Sequence, residues 1–270
     1  MINFLKELTL RYTPNMGYRK IRKVSLQSDS QREYSGIQEL IDGEEGLAGY
    51  NLDVVKKLAS GLGLDKNPGG LSSNVIEFGA GTGALAEVWR SEFRLYPTCI
   101  EIDPELIRIL ESKGFKTYEN INKVQSEILF IYTSNVLEHI EDDVQALINI
   151  REKMKQGGRI AIYVPALSML FSDLDRNVGH FRRYEKKELL HKVKLAGYEI
   201  EKCFYNDCIG VLASLSLRLF GYKNRTGLGS KKSLLIYDKY VYPLSIILDR
   251  IVFKHIIGKN LFLFAINPKK

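Results

Sequence analysis

The chain has 270 residues, 45% hydrophobic and 26% charged, the make-up of a globular protein with ample length for a buried core. Lys and Arg total 39 against 32 Asp and Glu, a net +7 that is unevenly split: residues 1–150 carry −6 and residues 151–270 carry +13. No run approaches roughly 20 uninterrupted apolar residues, so a spanning helix is not expected, and the three cysteines (Cys99, Cys203, Cys208) fit neither a disulfide framework nor a metal spacing.

The opening MINFLKELTLRY lacks the apolar core of a leader, and together with the cysteines this predicts a reducing, cytoplasmic setting. The basic second half anticipates an anionic partner: a phosphate, a membrane surface or nucleic acid. The plain alternative is a solvated surface.

Residues 1–45 are polar and weakly patterned and read as an N-terminal extension. LAGYNLDVVKKLASGLGL follows, with Leu47, Tyr50, Val54, Val55 and Leu58 at helical spacing, and NPGG breaks it. Strands and helices then alternate. NVIEFG is a strand and GALAEVWRSEF a helix; TCIEI is a strand and PELIRILESKG a helix with proline in its first turn. KTYE and EILFIYT are strands. EDDVQALINIREKMKQGG is a helix opened by carboxylates and closed by glycine. RIAIYVP is a strand, EKKELLHKVKLAG a helix and YEIEKCFY a strand. Such alternation predicts an α/β fold, a doubly wound, mostly parallel sheet with helices on both faces. The alternation stops at residue 208. Two apolar helical stretches, IGVLASLSLRLF and YPLSIILDRIVF, flank a basic joint before a last strand, NLFLFAI.

VIEFGAGTGALAE runs from strand through glycines into helix. Glycines permit a tight turn and close approach to a ligand, and the helix start presents free N–H groups. Two readings stay open on these residues. Gly79, Gly81 and Ala84 satisfy the dinucleotide pattern G-x-G-x-x-A, whereas Gly79, Gly81 and Gly83, with Glu77 two residues ahead, satisfy E-x-G-x-G-x-G.

The second pattern resembles motif I of class I S-adenosylmethionine-dependent methyltransferases. Three further stretches resemble that family in the expected order: CIEIDPEL with Glu101, ILFIYTSNVLEHIEDD with its LEH turn, and KMKQGGRIAIYVP. The resemblance implies a Rossmann-like seven-stranded sheet whose last strand is antiparallel, with S-adenosylmethionine as cofactor. It implies that Glu77 holds the methionine ammonium, that Gly79, Ala80, Gly81 and Gly83 line methionine and ribose, and that Glu101 takes the ribose hydroxyls. It places Ile102 against adenine, Glu119 or Asn120 at the adenine edge, and Ser134 and Asn135 at the closing side of the pocket. AGYNLDVVKKL looks like a tyrosine-asparagine helix of some bacterial members, which puts Tyr50 and Asn51 on the substrate side.

In open parallel sheets ligands sit beyond the carboxyl ends of the strands, so residues 165–184 are expected to pass over the cofactor's methyl group. Asp175 to Tyr184, DRNVGHFRRY, resembles a GHxRRY element of bacterial methyltransferases often associated with glycan and polysaccharide pathways. That similarity makes His180 the first choice for a general base and His139 the second. Arg182, Arg183 and Tyr184 become candidates for binding an anionic acceptor. Pairing of one arginine with Asp173 or Asp175 is the bland alternative, and His139 is as readily structural.

The reading is a class I methyltransferase core over residues 46–207, a helical insertion over 208–259 and a closing strand and tail over 260–270. The runner-up is a nicotinamide-dependent oxidoreductase, and a third reading is a non-catalytic cofactor-binding protein. The insertion carries nine Lys and Arg against two acids. This suits a lid on an anionic membrane or a cap over a lipid-linked acceptor; packing of both helices on the sheet is the alternative. The expected partners are therefore a small-molecule, glycan or lipid-linked acceptor and an anionic membrane surface. Nucleic acid and a metal are not expected.

Overall fold

The computed structural model describes residues 37–65, 75–220 and 230–269. Helices α1 (Ile37–Gly46) and α2 (Ala48–Leu62) precede strand β1 (Val75–Phe78). Then come α3 (Ala84–Phe93), β2 (Thr98–Ile100), α4 (Pro104–Ser112), β3 (Thr117–Tyr118), β4 (Ile128–Ser134), α5 (Asp143–Lys153) and β5 (Met154–Pro165). A short helix α6 (Asp173–Asn177), α7 (Lys186–Leu195) and β6 (Glu199–Asn206) complete the alternation, and α8 (Gly210–Phe220), α9 (Lys231–Ile236) and α10 (Tyr242–Ile251) form the insertion before β7 (Asn260–Ile266).

The strands form one seven-stranded sheet in the order β3-β2-β1-β4-β5-β7-β6. Pairs from β3 to β5 are parallel, and β7 runs antiparallel between β5 and β6. Buried on both faces, the central strands need apolar residues at every position. Ile131, Ile160 and Ile162 pack with Leu147, Ile150, Leu189 and Val193 of α5 and α7. Tyr132, Ala161, Tyr163, Phe262 and Phe264 pack with Val55, Leu58 and Trp89 of α2 and α3. Full burial of each such side chain stabilises by about 2 kcal/mol. Helix α2 lies so close to β7 that a Cβ on Gly61 would stand 1.9 Å from the Phe264 ring, so Gly61 trades helix propensity for contact.

Two boundaries differ from the sequence reading. Helix α5 ends at Lys153 and its expected last turn is instead the start of β5, where Met154 pairs with Ile128. Gly157 and Gly158 act in an irregularity of that strand rather than as a helix cap: Gly157 has φ +79°, and a Cβ on Gly158 would meet the Lys155 carbonyl at 2.8 Å. The extension assigned to 1–45 contains α1, and its first 36 residues lie outside the described ones. Of the basic joint GYKNRTGLGSKK, residues 221–229 also lie outside them, while Lys231 and Lys232 open α9. Finally, the insertion is stitched to the core through polar groups. Asp238 accepts from the free amides of Gly49 and Tyr50 at 2.8 and 2.7 Å, acting as the missing cap of α2. Asp249 accepts from the amides of Asp207 and Cys208 at the end of β6.

Candidate functional site

A cavity of about 310 Å³ opens at the carboxyl ends of β1, β4 and β5. Its floor is the turn after β1. Gly79, Gly81 and Gly83 have φ of +78°, +58° and +86°, conformations that residues with a Cβ rarely adopt. A Cβ on Gly79 would stand 2.3 Å from Val136, and one on Gly81 would approach Leu40 at 3.2 Å. The loop therefore passes close to α1, which Leu40, Gly43 and Glu44 bring over the cavity. A Glu44–Lys113 ion pair and a bond from Lys113 to the Thr82 carbonyl hold that helix in place.

Two acids face this floor. Glu101 directly follows β2 and is buried; one carboxylate oxygen accepts from the Gly81 amide at 2.8 Å and the other from Ile102 and Asp103 at 2.8 and 3.2 Å. The acid thus ties the glycine loop to the next strand and lines the cavity. Glu77 lies within β1, is 3% exposed, and its Oε2 has no partner. Burial pushes its pKa up to about 8; the neighbouring Tyr132 hydroxyl opposes this and the Glu101 charge adds to it. A buried carboxylate oxygen without a donor is costly and marks where a cationic group belongs.

The far wall comes from the turn after β4 and the segment after β5. Asn135 adopts φ +52° and its amide binds the Tyr163 carbonyl, which turns the chain sharply over the sheet end. Glu138 and His139 follow in a short 3-10 turn. Glu138 is fully buried with both oxygens unpartnered, and burial raises its pKa to about 7. His139, also buried, is pushed down to about 3 by burial and by His180, whose ring it meets edge-on at 4.5 Å. His180 binds Asp175 through Nδ1 at 2.8 Å and turns Nε2 toward Glu138 Oε1, 3.8 Å away. Asp175 also accepts from Arg183 Nε at 2.9 Å and from Ser172. Burial works against its charge, but His180 and Arg183 outweigh it and hold its pKa at about 2.

The sequence candidates divide accordingly. Glu77, Gly79, Ala80, Gly81, Glu101, Ser134 and Asn135 line the cavity, as do Tyr50, Asn51, His139, His180 and Arg183. Gly83 lies just beyond it and starts α3. Ile102, Glu119 and Asn120 do not line it. Ile102 contributes its amide to Glu101, Glu119 is exposed and paired with Lys123, and Asn120 caps the following turn by accepting from the Asn122 amide. Arg182 and Tyr184 also leave the expected site. Successive residues here point to opposite sides, so both reach Asp143 on α5, at 2.7 Å each, where Lys192 joins them. Those three donors overcome burial and hold the Asp143 carboxyl below its usual range. Glu185 gives α7 no side-chain cap; it accepts from the Ser168 amide instead. The sequence reading passed over Glu138, although its place beside His139 in the LEH turn was a signal, and Lys259, half-buried at the cavity edge.

The methyltransferase-domain family model matches residues 45–202, more than half of the chain. Among solved structures, a SAM-dependent methyltransferase from Archaeoglobus fulgidus superposes with TM-score 0.51 at 17% identity, covering 80% of this chain and 94% of that one. An S-adenosylmethionine-dependent methyltransferase from Mesorhizobium loti gives 0.52 at 14%, covering 83% and 100%. One named as a putative sarcosine dimethylglycine methyltransferase, from Galdieria sulphuraria, gives 0.52 at 14%, covering 80% and 86%. At these identities the likeness is one of fold. A comparison with curated proteins finds no match. The cavity suits the cofactor of that family: an orphaned acid awaits an ammonium, a second acid faces the cradle, and glycine backbones leave room where a Cβ would intrude. The chain belongs to the methyltransferase-domain family and is a class I enzyme that uses S-adenosylmethionine.

Proposed function

We propose that this enzyme methylates an oxygen of a lipid-linked acceptor, such as a lipid-carried glycan, while resting on an anionic membrane surface. S-adenosylmethionine supplies an electrophilic methyl group at its sulfonium. On this reading Glu77 pairs with the cofactor's ammonium, Glu101 receives its ribose hydroxyls, and the loop Gly79–Gly83 lies along it. The acceptor enters between α2 and the segment carrying His180. Its oxygen meets Glu138, His139 and His180, the groups placed to deal with its proton, and Tyr50, Asn51 and Arg183 border the acceptor space. Alignment of oxygen, methyl and sulfur supplies much of the rate.

The observation that carries the membrane reading is the inverted face of α10. Tyr242, Ser245 and Asp249 are buried, whereas Leu244, Ile247 and Ile251, three or four residues apart, are each at least 51% exposed. With Leu235, Ile236 and Tyr240 they form an outward apolar surface; ordinary surface helices point such residues inward. Lys231, Lys232, Lys239, Arg250 and Lys254 lie on the same stretch and suit anionic lipid. No helix among the described residues is long and apolar enough to cross a membrane, so the contact proposed is peripheral, on the cytoplasmic face. Because Asp238 caps α2 beside Tyr50, the same insertion borders the acceptor entrance. The similarity of DRNVGHFRRY to methyltransferases of glycan pathways supports the acceptor class. Co-sedimentation with anionic liposomes at low salt tests the reading: binding is expected, with substantial loss in Leu244→Ser/Ile247→Ser/Ile251→Ser. A wild type that stays in the supernatant refutes it.

A further inference from the structure

We propose that Glu138, His139 and His180 form a binding site for one divalent cation of the zinc class, at the acceptor end of the cavity. The proposal rests on the methyltransferase reading and names the agent that ionises the acceptor oxygen. Its first support is a deficit. Glu138 is 0% exposed and neither carboxylate oxygen has a donor. Leaving such a group unsatisfied is among the costlier things a fold can do, and here the residue is part of a cavity wall.

The second support is the setting of the two imidazoles. Both line the cavity, and their rings meet edge-on with centroids 4.5 Å apart. The Nδ1 contact of His180 with Asp175 leaves Nε2 as the ring atom facing Glu138. A carboxylate behind the outer nitrogen of a metal-binding histidine fixes its tautomer and raises its basicity. Asp175 is itself fixed by Arg183 and Ser172. The supporting layer is therefore already built.

The third support is spacing. One donor atom from each of the three residues lies within 4.8 Å of the others, and Glu138 to His180 is 3.8 Å. Ligands about 2.1 Å from a tetrahedral zinc stand about 3.4 Å apart, so side-chain rotations of around an ångström close the set. Two imidazoles and one carboxylate suit zinc, cobalt, iron or manganese better than magnesium or calcium. Three protein ligands leave a fourth position for the acceptor oxygen. There the acceptor's O–H proton is released to solvent. The oxygen then forms its bond to the methyl carbon as the carbon–sulfur bond breaks, its electron pair remaining on sulfur. Histidines 139 and 180 are 41 positions apart, which is why no ligand spacing is visible in the sequence.

The test uses chelator-treated full-length protein. Titration with Zn²⁺ alone is expected to show one tight equivalent, and Glu138→Gln and His139→Ala each to weaken it at least 100-fold. S-adenosylhomocysteine affinity, measured on the same samples without metal, reports that the variants are folded. X-ray absorption of the zinc-loaded wild type is independent of any variant and is expected to show two imidazole ligands. No zinc binding by the wild type, a shell without imidazole, or undiminished binding in folded variants overturns the proposal. If S-adenosylhomocysteine binds while zinc does not, only the cation falls; if the wild type binds neither, the methyltransferase reading falls with it.

Discussion

Glu77 gives the sharpest handle on the cofactor site. In the cofactor-free protein burial holds its pKa at about 8. Each tenfold change in proton affinity is about 1.4 kcal/mol, so the rise from 4.5 to about 8 amounts to as much as about 5 kcal/mol. The sign follows from linkage. A carboxyl whose folded pKa is raised contributes stability that is fully present below 4.5 and is lost as pH climbs to about 8. At pH 7 the free protein therefore holds about nine-tenths of a proton on Glu77. An arriving ammonium favours the ionised acid and expels that proton. Calorimetric titration with S-adenosylhomocysteine at pH 7, in buffers of different ionisation enthalpy, is expected to show release of close to one proton. Release is expected to fade toward pH 9. Glu77→Gln should abolish the release, cost about 10²–10³-fold in affinity as one partner of a buried ion pair is lost, and stabilise the cofactor-free protein at pH 8. Buffer-independent enthalpies together with wild-type affinity in the variant refute the reasoning.

Three further outcomes are expected. Gly81→Val, which forces a β-branched residue to φ +58°, costs about 1–3 kcal/mol of local strain and at least 10-fold in S-adenosylhomocysteine affinity by calorimetry. Glu101→Gln lowers that affinity about 100-fold, whereas Glu101→Ala also lowers the melting temperature, because the amides of Gly81, Ile102 and Asp103 lose their acceptor. His180→Ala reduces turnover by at least 100-fold with cofactor affinity within threefold, while Arg182→Ala, which severs a partly buried pair with Asp143, costs about 1–2 kcal/mol in urea unfolding and leaves turnover per folded molecule unchanged.

Much of the core was legible because buried parallel strands must be apolar throughout, and EILFIYT and RIAIYVP satisfy that without ambiguity. The glycine loop was legible for a related reason: three positive-φ positions in five residues admit little else. What the sequence concealed was direction. Arg182 and Arg183 are adjacent and chemically alike, yet one turns to Asp143 and the other to Asp175 at the cavity; which side each takes depends on the strand-like path after β5. Glu138 was hidden because a glutamate in a polar turn reads as solvated, and only the packed 3-10 turn removes it from water. Helix α1 was missed because its role is to cover the cavity from a segment with weak apolar patterning. In the insertion both apolar stretches form helices, but their exposed face could not be told from a buried one by periodicity alone.

The proposed methylation of a membrane-borne acceptor can be tested outright. The most direct measurement incubates the protein with methyl-labelled S-adenosylmethionine and lipid-linked glycans in anionic liposomes, beside the matching water-soluble glycans, and partitions the products. Label is expected in the lipid phase, at an alkali-stable ether oxygen, with the soluble glycans poorly labelled. Efficient labelling of soluble glycans, with none entering the lipid phase, would contradict it.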